Sequence, residues 1–417
     1  MDFNYSHEQL ALQETLQRFI SRDYGFERRR ELARSELGFS AEAWALYAEL
    51  GLLSLPFPEE FGGLGGNAVD IMLVMEQIGR GLLLEPFLSS VVMCGGLIRD
   101  AASDSLKANL LPRIGRGDLK LALACYEATG RYDLSRVACT AVPSGGGWRL
   151  SGQKTVVLDA PSADYFLVSA RGGDHAGRAG NAQTSSTAGS YANALNSRNA
   201  RSAGGTGTTG ELSCAENEQG ISLFLVERGS AGLSLHCFPT QSGGRTADLR
   251  LDDVVVGADA LIGAPGSGLN IVECAVDKGV AAVCAEAVGI IAALNEATLN
   301  YLKIRKQFGV PIGKFQALQH RMADMFIAAE QSRSMAVNAA VYADSEDAAV
   351  RRRAISGAKA YIGRAARLIG QEAVQMHGAM GVVDDVIVSH YFKRLTMIDM
   401  SLGDADHHLA RFSDMLV

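Results

Sequence analysis

Arg305, with Gln307, Phe308 and Gln316 close behind it, is the group in this chain best equipped for chemistry. A guanidinium presents a rigid fork of donors that matches phosphate oxygens. Gly309, Pro311 and Gly313 follow at once and make a corner where backbone can come close to a ligand. A second reading stands beside this one. Lys303, Arg305 and Lys306 end a helical pattern, where cations offset the negative end of the helix dipole. Local physics leaves both open.

The elements that must hold this corner follow from hydrophobic period. Gly268 to Tyr301 is apolar and free of proline, which predicts one long helix, and Phe315 to Phe326 resumes the pattern. Upstream, Ser6 to about Lys120 reads as helical, with Leu10, Leu12, Leu16, Phe19 and Ile20 near helical spacing. Ser40 suits an N-cap before Ala41 to Leu50, and Val69 to Gly81 and Val91 to Ala108 predict further helices. Around Leu121 the period changes to two. Trp148 to Leu158, Tyr165 to Ala170, Ile221 to Glu227, Leu233 to Phe238 and Ala247 to Val256 predict strands of a small β-barrel-like domain. Residues 172–220 are dominated by Gly, Ala, Ser, Thr and Asn; such a segment buries too little surface to offset its ordering entropy and is expected to be a disordered insertion. The expected architecture is α+β and multidomain. A helical domain spans 1–120, a β domain with the insertion spans 121–264, and a four-helix bundle spans 265–417.

The totals narrow the classes. The 417 residues exceed what one core usually supports. A net charge of −7 argues against nucleic acid. The start carries Asp2, His7 and Glu8 with no basic flank before an apolar run, so no signal peptide is expected and the cytoplasm is the expected compartment. No stretch reads as a membrane span. Seven cysteines lie scattered without metal-like spacing and read as reduced core residues.

The whole string R-x-Q-F-G-x-P-I-G-x-F-Q-A-x-Q-H-x-x-A-D-M, from Arg305 to Met325, closely resembles the signature of the acyl-CoA dehydrogenase family. The Gly51 to Gly66 loop, the Trp148-x-Leu-x-Gly-x-Lys154 run and Gln375-x-x-Gly378 resemble further family elements, although Ala379 replaces a glycine. The resemblance covers essentially the whole chain outside the insertion. It implies the family fold and FAD as cofactor. It also implies that Arg305, Gln307, Phe308, Gln316, Gln375 and Gly378 contact the FAD of a neighbouring subunit.

An enzyme of this family needs a carboxylate to remove the α-proton of an acyl-CoA thioester, while flavin accepts the β-hydrogen as hydride. The two usual places for that base align with Leu402 and Gly279, and neither can accept a proton. The loop that folds over the flavin ring aligns with Tyr126-Glu127-Ala128, its serine with Tyr132, although Asp133 is kept. A tryptophan and a threonine beside the ring align with Val156 and Leu158, and an arginine on the CoA arm aligns with Val280.

The losses fall on the chain's own ring site, and the retained residues on the half lent to a neighbour. The resemblance therefore implies a non-catalytic subunit of a heterotetrameric dehydrogenase sharing FAD with a paralogous partner. The partner would hold the acyl-CoA, and an electron-transfer flavoprotein would accept the electrons. The Met397 to His408 run resembles the small subunit of pimeloyl-CoA dehydrogenase, which points to fatty or dicarboxylic acid catabolism. Two rivals stand. One is a self-sufficient enzyme whose base has moved to Asp404 or Asp406; the other is a flavin-free binding protein on the same scaffold. Asp404-x-Asp-His-His also invites a metal reading, against which acids at a family helix start complement its dipole.

Overall fold

The computed structural model describes residues 5–172 and 220–416. The insertion expected at 172–220 lies outside the described residues apart from its two ends.

Capping decides where the N-terminal helices begin. Ser6 forms a capping box on α1 (His7–Asp23). A turn leads to α2 (Phe26–Arg34), and Ser40 caps α3 (Ala41–Glu49) by accepting from the Ala43 N–H. Asn67 caps α4 (Ala68–Gly81). A π-helical segment, Phe87–Gly95, then runs into α5 (Gly96–Ala101), and α6 (Asp104–Gly115) follows. The single helix expected from Val91 to Ala108 is therefore two. Ala102 is extended, and Ser103 restarts the chain by accepting from Leu106 N–H. A hydroxyl that can satisfy a free helical N–H outweighs apolar period over a few residues.

The middle of the chain is one sheet. Its strands are β1 (Leu121–Ala124), β2 (Thr140–Ser144), β3 (Gly147–Leu158), β4 (Tyr165–Gly172), β5 (Ile221–Glu227), β6 (Leu233–Pro239), β7 (Arg245–Val256) and β8 (Leu261–Ile262). They order as β6-β7-β3-β2-β4-β5-β8, with β1 parallel to β4. β4 and β5 pair in antiparallel register from Tyr165↔Glu227 to Arg171↔Ile221. The Gly172 N–H donates to Gly220 O at 2.8 Å, so the ends of the insertion meet. The β3–β7 register shifts between Leu150 and Gly152 and again between Lys154 and Val157, which marks two bulges.

The C-terminal part begins with α7 (Gly268–Ile304), 37 residues long. A short hairpin, β9 (Lys306–Gln307) and β10 (Val310–Pro311), leads to α8 (Gln316–Ala343). Then come α9 (Ala348–His377), α10 (Ile387–Met400) and α11 (Ala405–Asp414). Against the expectation from sequence, α7 is long and apolar enough to cross a membrane. However, 72% of its most apolar stretch is buried inside the protein, as in a core helix. Its crossing with α4 is unusually close. A Cβ on Gly289 would lie 1.9 Å from Glu76 O, and one on Gly79 would lie 2.0 Å from Glu286 O. Of the described cysteines, Cys94, Cys125, Cys139 and Cys284 are core residues as expected, whereas Cys237 is exposed on the edge strand β6.

Because Gly172 and Gly220 already sit within hydrogen-bonding distance, replacing 173–219 with a short Gly-Asn turn is expected to change stability by less than about 1 kcal/mol. Urea unfolding of the shortened chain checks this; a larger loss means that the segment packs on the core.

Candidate functional site

Two sites emerge. The first is a cleft between the sheet and the C-terminal helices. Leu269, Glu273 and Val276 form one stripe of α7 along a cavity of about 330 Å³. Val280, one turn further on, is fully buried. Tyr126 and Tyr132 line the cavity from the β1–β2 connection, and Leu402, His407 and Arg411 from the far side. Burial pushes the Tyr126 hydroxyl well above its ordinary value, so it stays protonated.

Leu402 is held in place by its backbone. Its φ of +58° lies in the left-handed region, which costs a leucine roughly 1–2 kcal/mol. Four hydrogen bonds around the turn hold it there. The fully buried Lys359 donates to Ile398 O (2.8 Å), Asp399 O (2.9 Å) and Gly403 O (2.6 Å), using all three ammonium protons. His408 Nε2 donates to Leu402 O at 3.0 Å; burial pushes this imidazole down to about 3, so it is neutral and carries one proton for that bond. Gly403, at φ +106°, has no room for a side chain, since a Cβ would come within 2.6 Å of His408 Nε2. The result is that Leu402 Cδ1 and Met93 Sδ both lie 3.0 Å from where a Gly279 Cβ would be. These apolar side chains fill that space.

The loop over the cavity is anchored just as firmly. Glu127 is buried; it accepts from Ala138 N–H (2.7 Å), Cys139 N–H (3.1 Å) and Lys154 Nζ (2.7 Å). Asp133 accepts from Ser135 N–H and Oγ. The Tyr132 hydroxyl reaches across and donates to Met400 O at 3.0 Å, with its ring 5.3 Å from that of His407. Val156 sits at the second bulge with φ +51° and is exposed, its N–H donating to Asp248 Oδ1 at 2.9 Å.

The second site is the corner after α7. Phe308 (φ +54°) and Gly309 (φ +78°) are the two central residues of the β9–β10 hairpin, which is the left-handed pair of a type I′ turn. Phe308 is 92% exposed, and its ring meets Phe315 edge-on at 6.2 Å. Arg305 ends α7, and its carbonyl accepts from Ile312 N–H at 2.9 Å, which closes the corner. Gln316 opens α8, whose first N–H groups have no side-chain cap. Tyr301 stacks on His377 with centroids 4.4 Å apart, and this brings the end of α9, with Gln375 and Gly378 (φ +61°), alongside. Arg305, Gln307, Gln316 and Gln375 are exposed, and among the described residues their side chains make no hydrogen bond or ion pair. An exposed arginine, unpaired amides and an uncapped helix N-terminus suit an anionic group.

Residues 6–118 match the N-terminal domain of acyl-CoA dehydrogenases, and residues 266–414 match their C-terminal domain. The chain belongs to the acyl-CoA dehydrogenase family. It is 28% identical over 411 residues to a probable acyl-CoA dehydrogenase, YngJ, of Bacillus subtilis, covering 97% of each chain. Among solved structures, a variant of the Tcur3481–Tcur3483 steroid ACAD is 27% identical with a TM-score of 0.80, covering 98% of this chain and 97% of that one. The ChsE4–ChsE5 complex of Mycobacterium tuberculosis shares the fold at 24% identity and a TM-score of 0.82, covering 100% of this chain and 99% of that one.

As an acyl-CoA dehydrogenase family member, the chain is of an FAD-dependent oxidoreductase type, with flavin supplying hydride acceptance when bound. Tyr132 reaches across the cleft to Met400 O, and the two aligned base positions, Leu402 and Gly279, lie side by side with Met93 packed against them. Asp404 caps α11, accepting from His407 N–H at 2.8 Å through one carboxylate oxygen. Asp406 is exposed and faces Arg364 at 3.4 Å. Lys359, Met93 and the reach of Tyr132 are the parts that sequence reading missed. Lys359→Met leaves three buried carbonyls without their donor, so unfolding free energy is expected to fall by roughly 3 kcal/mol, measured in urea.

Proposed function

We propose that this chain is the non-catalytic subunit of a heteromeric acyl-CoA dehydrogenase. It lends its Arg305 corner to the FAD of a paralogous partner, which holds the acyl-CoA and carries out α,β-dehydrogenation. One observation carries the reading: at the two aligned base positions an apolar Leu402 side chain packs beside Gly279, while the donors of the corner stand exposed and, among the described residues, unpaired. A carboxylate that removes a proton must reach the substrate carbon within a near-attack distance, and Asp404 is engaged in capping. A flavin-free scaffold would have no use for an exposed arginine held at a rigid hairpin. The fold is shared with the ChsE4–ChsE5 complex, so a two-chain assembly is within its reach. An electron-transfer flavoprotein is the acceptor that fits such an enzyme.

Purified alone, the chain is expected to be colourless; co-expressed with its partner, it is expected to give about one flavin per pair of subunits. In that complex Arg305→Ala removes charge-assisted bonds worth roughly 1.5–3 kcal/mol, so flavin affinity is expected to fall about tenfold to a hundredfold. Asp404→Asn is expected to leave turnover unchanged. A yellow homo-oligomer with one tightly held FAD per chain, inactivated by Asp404→Asn, overturns the proposal.

A further inference from the structure

The Arg305 corner and the end of α9 are far apart in sequence, and two side-chain pairs tie them together. Tyr301 of α7 lies four residues before Arg305, about 6 Å of helix axis. Its ring stacks on His377 of α9 with centroids 4.4 Å apart and planes at 25°. The second pair is Arg321 of α8 with Glu372 of α9, at 3.0 Å. Exposure separates the two. The Arg321 and Glu372 side chains are 45% and 28% exposed, so water screens their attraction. His377 is only 6% exposed, and its stack is shielded.

That stack fixes more than a ring. Burial pushes the His377 imidazole below its ordinary value, so it is neutral, and its Nδ1–H donates to Ala373 O at 2.8 Å. The Tyr301 hydroxyl also donates to His377 O, at 3.4 Å. Tyr301 therefore touches both the side chain and the carbonyl of the residue that leads into Gly378. There the chain turns at φ +61°, and the Gly378 N–H donates to Gln375 O. We propose that Tyr301 and His377 are positioning residues of the flavin half-site, holding Gln375 and Gly378 at one set distance from Arg305. The proposal rests on the half-site reading above. A ligand that spans both halves binds tightly when their spacing is set beforehand; otherwise binding must order the end of α9.

The test reads FAD affinity of the co-expressed complex by flavin fluorescence. Tyr301→Leu removes the flat face and is expected to lower affinity about tenfold or more. Tyr301→Phe keeps the face and loses one long hydrogen bond, so affinity is expected to stay within about threefold of the parent; so is Arg321→Ala, which removes an exposed pair. Leu294→Ala, at a fully buried position two turns earlier on α7, is the control for plain destabilisation. It is expected to lower resistance to urea at least as much as Tyr301→Leu and to leave flavin affinity unchanged. In the isolated chain, amide exchange over 378–382 is expected to speed up about tenfold in Tyr301→Leu and not in Tyr301→Phe. Unchanged affinity in Tyr301→Leu, or a loss as large in Tyr301→Phe or Leu294→Ala, overturns the positioning role. Arg305→Ala separates the two proposals. If it lowers flavin affinity while Tyr301→Leu does not, the half-site stands and the positioning role falls. If it leaves affinity unchanged, the half-site falls and takes the positioning role with it.

Discussion

The crossing of α4 and α7 is the constraint on which the rest of the structure depends. Gly79 and Gly289 face each other's helix so closely that a methyl group on either would strike backbone. Such a notch fixes the rotation of α7 as well as its distance from α4, because only one face of each helix carries the glycine. With α7 fixed, Gly279 is turned toward the loop after α10, the Leu269–Glu273–Val276 stripe faces the cleft, and Arg305 emerges at the molecular edge. The two carboxylates beside the notch are treated differently. Glu286 takes a bidentate ion pair from Arg394 at 2.5 and 2.7 Å, whereas Glu76 has only the longer pair to Arg333 at 3.7 Å and, among the described residues, one oxygen without a hydrogen bond.

Buried charge then locks the loops that α7 leaves free. Lys359 gathers the turn between α10 and α11, Lys154 and Glu127 hold the β1–β2 connection, and Asp277 on α7 takes Arg351 and Arg411. Each is a group costly to bury unless fully paired. Their combined effect is geometric: the cleft's two sides are set independently and then joined through Tyr132 and Met400 O.

The sequence made the succession of helices, strands and helices legible because hydrophobic period is a local signal, strong in the long, proline-free α7 and in the alternating strand β3. It also made the Arg305 corner legible, since Gly309, Pro311 and Gly313 announce the turn that exposes it. What it hid were contacts between distant parts. Lys359 looks like any surface lysine on a helix until α10 ends against it, and Tyr132 and Met400 are 268 residues apart. The split at Ser103 was hidden for the opposite reason, since one hydroxyl cap is weaker as a pattern than the apolar residues around it. The membrane-like hydropathy of α7 takes its meaning only from what surrounds it.

The type I′ turn at Phe308 and Gly309 has a kinetic consequence. Both residues are already in the left-handed region, braced by the Phe315 ring and by the bond from Ile312 N–H to Arg305 O. The corner therefore enters an encounter with little backbone entropy left to lose. In the proposed complex, docking onto it is close to rigid-body, without a slow folding step to hold the association rate below its ordinary range. Sequence changes that loosen this hairpin, such as Phe308→Gly, would act first on how quickly contact is made productive, even where every bond of the final complex remains available.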